Sequence, residues 1–427
     1  MEKYSSYKDS GVKWLGEIPS HWEVVSIKKI SNIILGKMLE NAPDDQGFPY
    51  LCAKDVHFDG VSYDDLKKML FSENEKKKYI VKKGDLLVVE GGAGGTCAII
   101  DKDIDDVYIQ NSLMIVRGFP NKVSNNYIFY ALSSLVKRGY ADSVCNKATI
   151  LHFTKEKLES TNIALAPLCE QIKIINYLDT VTTKIDVAIE QQKKMIELLN
   201  ERKQIIINNA VTKGLDPNVK MKDSGVDWIG EIPEGWKIKR GKYLFKIINE
   251  YSVTGEEELL TVSDRTGVTP RSMKNVNMFM AESLVGYKKC QVGDICSNIM
   301  WMWHGAVGVT KYNGVISPSY GVYRQKEKTY FDEYLDMILR LPRLVKYYAS
   351  RSTGLTESRL RLYPDDFMNI FFFIPPLEEQ KQIVNKLNSI CEPIDYAIKS
   401  TDHQITLLQE RKQIIINEVV MGKVKVS

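Results

Sequence analysis

The sequence predicts an α+β chain: two mostly β, mixed domains related by a pseudo-two-fold and joined by two long antiparallel coiled-coil helices. Three observations predict it. Lys8–Trp22 reads KDSGVKWLGEIPSHW, and Lys222–Trp236 reads KDSGVDWIGEIPEGW. Glu201–Asn208 reads ERKQIIIN, and Glu410–Asn417 repeats those letters unchanged. Each closing string also ends a long pattern of apolar residues at spacings of three and four, the signature of a coiled-coil seam.

The opening motifs stand 214 positions apart and the closing strings 209. The offset of 209 already holds at Asp55 and Asp264, and at Gly84-Asp85 and Gly293-Asp294. A small insertion or deletion therefore falls between about residues 33 and 50. A period of this size is a whole domain, well beyond the ~20–50 residues of solenoid repeats. The chain divides accordingly into a first domain at 1–165, a helical segment at 166–214, a second domain at 215–374 and a second helical segment at 375–427.

Within each domain the elements follow in order. Behind the first tryptophan turn come FPYLCAKDV, GDLLVVE, TCAII and YIQNSLMIVRG, short apolar runs bounded by turn residues that read as strands. Residues 126–138 read as a helix, matched by 330–348. IALAPLCEQ, and FFIPPLEEQ in the second copy, hand over to the heptad patterns. The first seam is Ile175, Leu178, Thr182, Ile185, Ile189, Gln192, Ile196, Leu199, Lys203 and Ile206; adding 209 gives Val384, Leu387, Cys391, Ile394, Ile398, Thr401, Ile405, Leu408, Lys412 and Ile415. Pro393 has no amide to donate, so the sequence predicts a break there and a long helix from Pro393 to about Asn417, roughly 37 Å at ~1.5 Å per residue. From Asn417 the chain runs NEVVMGKVKVS, which places its end where a linker would lead back to Lys8, a near-circular arrangement with an internal dyad.

Composition narrows the class. With 427 residues, 44% hydrophobic and 26% charged, the chain can bury two cores. No run of about 18 apolar residues and no signal pattern is visible, so a soluble, cytoplasmic protein without membrane association is expected. Seven cysteines form no CxxC pair and five histidines are scattered, which argues against a bound metal. A net charge of +4 permits a nucleic-acid partner without demanding one.

The doubled SGVxWxGEIPxxW opening, the xPLxEQ helix entry, the ERKQIIIN close and the Gly-Asp-hydrophobic strand of each domain resemble the DNA-specificity subunits of type I restriction–modification enzymes, over nearly the whole chain. The resemblance implies two target-recognition domains, each reading one half of a split duplex DNA site. It implies helices that space the halves and dock two methylation subunits, with motor-nuclease subunits as a further partner that the sequence leaves open. It also implies that this chain does no chemistry and holds no cofactor: S-adenosylmethionine, ATP and Mg are expected on the partners, which methylate adenine at N6. No NPPY-type tetrapeptide is present, IPPL at 374–377 lacking both the polar and the aromatic member, and no GxxxxGK[ST] occurs. Pro364-Asp365-Asp366 resembles a nuclease carboxylate pair, but without a following ExK it reads as a helix start. The glycine-rich Glu90–Gly95 reads as a hairpin approaching DNA or an ordinary tight turn rather than a phosphate cradle.

Base-reading residues vary between recognition domains, so the resemblance transfers only their location in loops. The first candidate loop holds Lys54 and Asp55, aligned with Asp264 and Arg265; Arg and Lys can bond guanine edges and Asp can accept from cytosine. The second is the glycine-rich turn with Gly92 and Thr96, aligned with the stretch bearing Trp303 and His304. The third holds Lys147 and Thr149, facing Arg351 and Arg359 in the second copy. Lysines such as Lys147 suit phosphates, which position without specifying. The two sets differ at nearly every position, so the target is expected to be asymmetric. Two other readings stay open from the residues alone: a coiled-coil adaptor binding proteins, and a self-sufficient DNA methyltransferase or nuclease.

Overall fold

A computed structural model describes residues 2–40, 46–145, 152–274, 282–356 and 359–426. The chain forms two compact units, Met1–Lys193 with Asp402–Ser427, and Lys194–Thr401. Each unit holds one globular domain, the first half of one long helix and the second half of the other. The division therefore cuts through the helical segments instead of setting them apart.

The helices are Leu168–Lys213 and Leu377–Val420. The seam explains why these stretches stay helical: Ile175, Leu178, Thr182, Ile185 and Ile189 are buried, as are Val384, Leu387 and Ile405, and every other seam position is at least half-buried. Most of the flanking residues are exposed, the distribution a heptad stripe produces. The predicted break at Pro393 is absent, and the second helix runs through it. Pro393 and Ser389, to whose carbonyl a proline has no amide to donate, both lie on the exposed face, where solvent can serve that carbonyl. Leu387 and Ile394 keep the seam buried or half-buried on either side. The segment from Pro393 to Asn417 is thus only part of a 44-residue helix.

Each domain is built on one antiparallel four-stranded sheet. In the first its order is Cys97–Ile99, Leu86–Val89, Leu113–Gly118, Ser31–Leu35. In the second the order is Val307–Val309, Ile295–Ser297, Gly321–Gln325, Phe245–Ile247, the same arrangement from the repeated segments. The strand Leu86–Val89 within GDLLVVE is apolar throughout because both sheet faces are covered. Leu86 and Val88 face the core shared with Tyr127, Leu132 and Leu135 of the helix Asn125–Lys137, while Leu87 and Val89 face a second core with Leu51, Val56 and Ile109. In the second domain Ile295 and Tyr323 take one side, Cys296 and Val322 the other. The stretch 330–348, expected as one helix, is two: Asp332–Leu339 and Pro342–Arg351. Pro342 ends the first ladder and occupies the favoured first position of the next.

The repeated strings turn out to be joints. Gly84 and Gly293 adopt φ of +83° and +88°, the left-handed region that favours glycine. The following Asp85 and Asp294 are buried and accept both guanidinium bonds of Arg117 (2.8 and 2.7 Å) and Arg324 (2.7 and 2.9 Å) from the neighbouring strand. In xPLxEQ, Glu170 accepts from Trp22 Nε1 at 3.0 Å and Glu379 from Trp236 Nε1 at 3.1 Å, tying each opening motif to a helix start. Gln171 and Gln380 then donate back to Ala166 O (2.8 Å) and Pro375 O (2.9 Å). Lys425 donates its amide to Glu2 O at 2.8 Å, and Gly422 packs on Pro19 and Trp22 much as Gly214 packs on Pro233 and Trp236. The tail thus meets the first opening motif as the 214–221 linker meets the second. Among the described residues no helix is long and apolar enough to cross a membrane.

Candidate nucleic-acid interface

In the first domain Lys54 and Asp55 sit on the 3-10 turn Ala53–Asp55, which follows the strand Phe48–Leu51. Asp55 is only 3% exposed; its Oδ2 accepts the Cys52 amide at 2.9 Å and its Oδ1 lies 3.3 Å from Lys54 Nζ. The carboxylate expected to meet a cytosine edge is turned inward, because closing this turn requires an acceptor for the Cys52 amide. Lys54 alone of the two is exposed. The Asp55 contact raises the affinity of the Lys54 ammonium for its proton.

Gly92 is exposed at the tip of the glycine-rich turn, and half-buried Thr96 closes its base by accepting the Val89 amide at 2.8 Å. Lys147 and Thr149 lie outside the described residues. Where the chain resumes, His152 is exposed and pairs in a β-bridge with Gly91, and Phe153 donates its amide to Glu90 O at 2.7 Å. Burial pushes the Glu90 carboxyl above the ordinary range. The described residues that follow the third candidate stretch are therefore paired with the glycine-rich turn.

The second domain repeats this link with the offset of 209: Leu362 donates to Ile299 O at 3.0 Å. The side chains it presents are different. Trp301 stands 55% exposed, stacked on Trp303 at 5.9 Å between ring centres and 17° between planes. Trp303 is half-buried and spends its Nε1–H on Met300 O at 2.9 Å. His304 Nδ1 lies 3.2 Å from Asp264 Oδ2, so two candidates forty residues apart in sequence meet here. Arg340 braces their turn by donating to the carbonyls of Asp264 (2.6 Å) and Arg265 (2.7 Å), leaving the Arg265 side chain exposed. Arg351 is held by Tyr347, donating to its hydroxyl at 3.0 and 2.7 Å with the guanidinium 5.1 Å from the ring centre. Arg359 is exposed on the loop between Thr353 and Arg361, which pair across it through reciprocal 3.0 Å bonds.

One exposed residue of these faces, His152, lies outside the candidate stretches read from the sequence, whereas Trp301 falls within one of them. The offset from Phe153 to Leu362 is enough to find the loop bases. Nothing in the letters separates exposed Trp301 from half-buried Trp303 two positions on. Among the described residues no group of three or more His, Cys, Asp or Glu is placed to hold a metal ion. What the described faces offer is hydrogen bonding, stacking and positive charge.

The two domains thus share one scaffold and carry unlike loops. The family description "Type I restriction modification DNA specificity domain" matches residues 19–198 and 233–405, and the chain belongs to that family. It is 26% identical over 444 residues to the type I restriction enzyme MjaVIII specificity subunit of Methanocaldococcus jannaschii, covering 99% of this chain and 97% of that protein. Its fold is similar to a solved chain of a type I R-M system described for complex assembly and conformational transition (TM-score 0.70, 16% identity, 95% and 99% covered). A second neighbour is the HsdS subunit from Thermoanaerobacter tengcongensis (TM-score 0.50, 17% identity, 95% and 98% covered). The chain is thus a specificity subunit of the type I restriction–modification class.

Proposed function

We propose that this subunit reads an asymmetric, bipartite duplex DNA target, one half-site per domain, and delivers two methylation subunits to it. The observation that carries this reading is the equivalent pair of loop bases, Phe153–Glu90 and Leu362–Ile299, bearing unlike side chains. A shared scaffold suits two loop sets that meet two half-sites in the same way, with different letters for different bases. The first face offers Lys54, Gly92 and His152, the second Trp301, His304 and the arginines.

The helices support two equivalent docking faces. Val187 and Tyr396, Leu198 and Leu407, and Ile205 and Ile414 are pairs 209 apart, and all six side chains are exposed although apolar. One unit displays Val187, Leu407 and Ile414; the other displays Tyr396, Leu198 and Ile205. A duplicated apolar face suits two copies of one partner. S-adenosylmethionine belongs to those methylation subunits, and ATP and Mg to any motor-nuclease subunit that joins them. The complex works on DNA in the cytoplasm.

The test is to co-express the chain with the methylation subunit encoded beside it, in cells without other adenine methylation, and to map N6-methyladenine. One split, asymmetric motif that disappears when this chain is omitted is the expected result. Assembled protein without any motif overturns the reading.

A further inference from the structure

The second domain contains a cleft of about 550 Å³ that the reading of groove edges does not use. Trp301 forms one wall, and Tyr287 and Tyr320 are aromatic residues of its lining. Asn298 is buried within it, its side-chain amide donating to Tyr320 OH at 2.8 Å and its Oδ1 accepting the Met300 amide at 3.2 Å. Asp264 belongs both to this lining and to the turn that meets His304, so the cleft opens onto the candidate interface. Lys274 also lines it, its Nζ 3.2 Å from Ser263 Oγ.

We propose that this cleft receives one nucleobase extruded from the half-site of the second domain, with Trp301 stacking on it and Lys274 meeting its phosphate. The proposal rests on the DNA-reading function and deepens it. Flat aromatic walls match the faces of a base, and Asn298, Ser263 and Asp264 offer hydrogen-bonding groups to its edge. The size lies within the ~300–1,000 Å³ of ordinary small-ligand sites. Lysine charge is complementary to the phosphate that accompanies the base. The turn around Trp301 holds its ring ready to stack. Met302 beside it is fully buried and anchors the 3-10 turn Met302–His304, while Trp303 backs the ring. Selectivity would then depend on how easily a given step unstacks, in addition to groove-edge contacts.

The experiment uses the assembled complex with its methylation subunits and duplexes carrying 2-aminopurine at each target position in turn. Unstacking brightens this base, so one position other than the two adenines destined for methylation should brighten. Trp301→Ala should abolish that signal and weaken binding on the order of tenfold, with Trp301→Phe restoring part of both. Trp301 is exposed, and recovery of the complex with its methylation subunits confirms that the variant folds. A native complex that binds and methylates its target with no additional bright position overturns the inference and leaves the proposed function standing. A signal that persists in Trp301→Ala overturns the assignment to this cleft. Absence of sequence-specific methylation by the native complex removes the proposed function and this inference together.

Discussion

Lys412 donates to both carboxylate oxygens of Asp186 at 2.7 Å, joining the second half of one long helix to the first half of the other. The other unit repeats the pair with Lys203 on Asp395, at 2.6 and 2.7 Å. Both lysines occupy seam positions otherwise filled mainly by Ile and Leu. A charge in an apolar seam sets register, because a slipped alignment would leave the ammonium without its carboxylate. Each pair is partly exposed, so its net contribution is about 1 kcal/mol or less. Reversing one member, as in Asp186→Lys, sets two ammonium groups against each other. We expect the melting temperature to fall by about 2–4 °C per kcal/mol lost in a unit of this size. The double reversal Asp186→Lys with Lys412→Asp should recover most of it, which thermal unfolding of the single and double variants measures.

The Asp85–Arg117 and Asp294–Arg324 pairs, whose carboxylates are buried and whose guanidinium groups are partly exposed, should be more sensitive. Asp294 is fully buried, so Asp294→Asn leaves Arg324 without its carboxylate at the centre of the sheet. Breaking such a pair costs about 3 kcal/mol. Because each pair lies within one unit, the damage should be local. Urea unfolding should show one transition shifted to lower denaturant and the other unchanged, and Asp85→Asn should shift the opposite one.

Acid should loosen the joint at Glu170. Burial opposes ionisation there, but the hydrogen bonds from His21, Trp22 and Tyr4 outweigh it and hold the carboxyl below its ordinary range. A carboxyl depressed in the folded state contributes stability that is complete above its unfolded value of about 4.3. That contribution fades as the pH falls through the depressed folded value. Glu170→Gln should therefore destabilise the protein near neutrality and flatten its loss of stability between about pH 5 and 3. Equal slopes for variant and native protein across that interval would exclude Glu170 as a source of the acid sensitivity.

Much of this architecture was legible because periodicity survives translation into structure. The seam from Ile175 to Ile206 reads directly as a buried stripe, since a spacing of three and four has one helical solution. Other features were settled by surroundings that letters do not carry. Pro393 breaks no helix because its face is exposed, whereas Pro342 begins one because the chain turns there. Asp55 has the letters of a reading residue and serves as the acceptor that closes its own turn. Asp264 and His304 came from different candidate loops, and their meeting depends on a strand register that the sequence pattern does not specify. The Gly-Asp strings were legible as repeats, but their arginine partners on the adjacent strand were not.

Loop residues should separate by the kind of DNA contact they make. Lys54→Ala should weaken binding to all duplexes alike and lower the slope of log affinity against log salt by about 0.9 if it neutralises one phosphate. Arg359→Ala should relax discrimination at a position of one half-site, worth about 1–3 kcal/mol per base pair. Salt titrations and methylation mapping of the two variants distinguish these behaviours. A uniform loss from Arg359→Ala would place it on the backbone instead.

The helices make the final prediction, because their seam repeats every seven residues while DNA repeats every base pair. Deleting 190–196 and 399–405 removes one heptad from each helix. Asp186 and Lys412 remain on their own sides of the cuts, as do Lys203 and Asp395, so both ion pairs and the seam can re-form. One heptad is about 10.5 Å of helix, equivalent to at most about three base pairs. If the helices set the distance between the half-sites, methylation mapping should return the same two half-site sequences separated by a shorter spacer. Both half-sites would persist because neither loop set is touched. Altered half-site letters with an unchanged spacer would mean that the domains, rather than the helices, determine the separation.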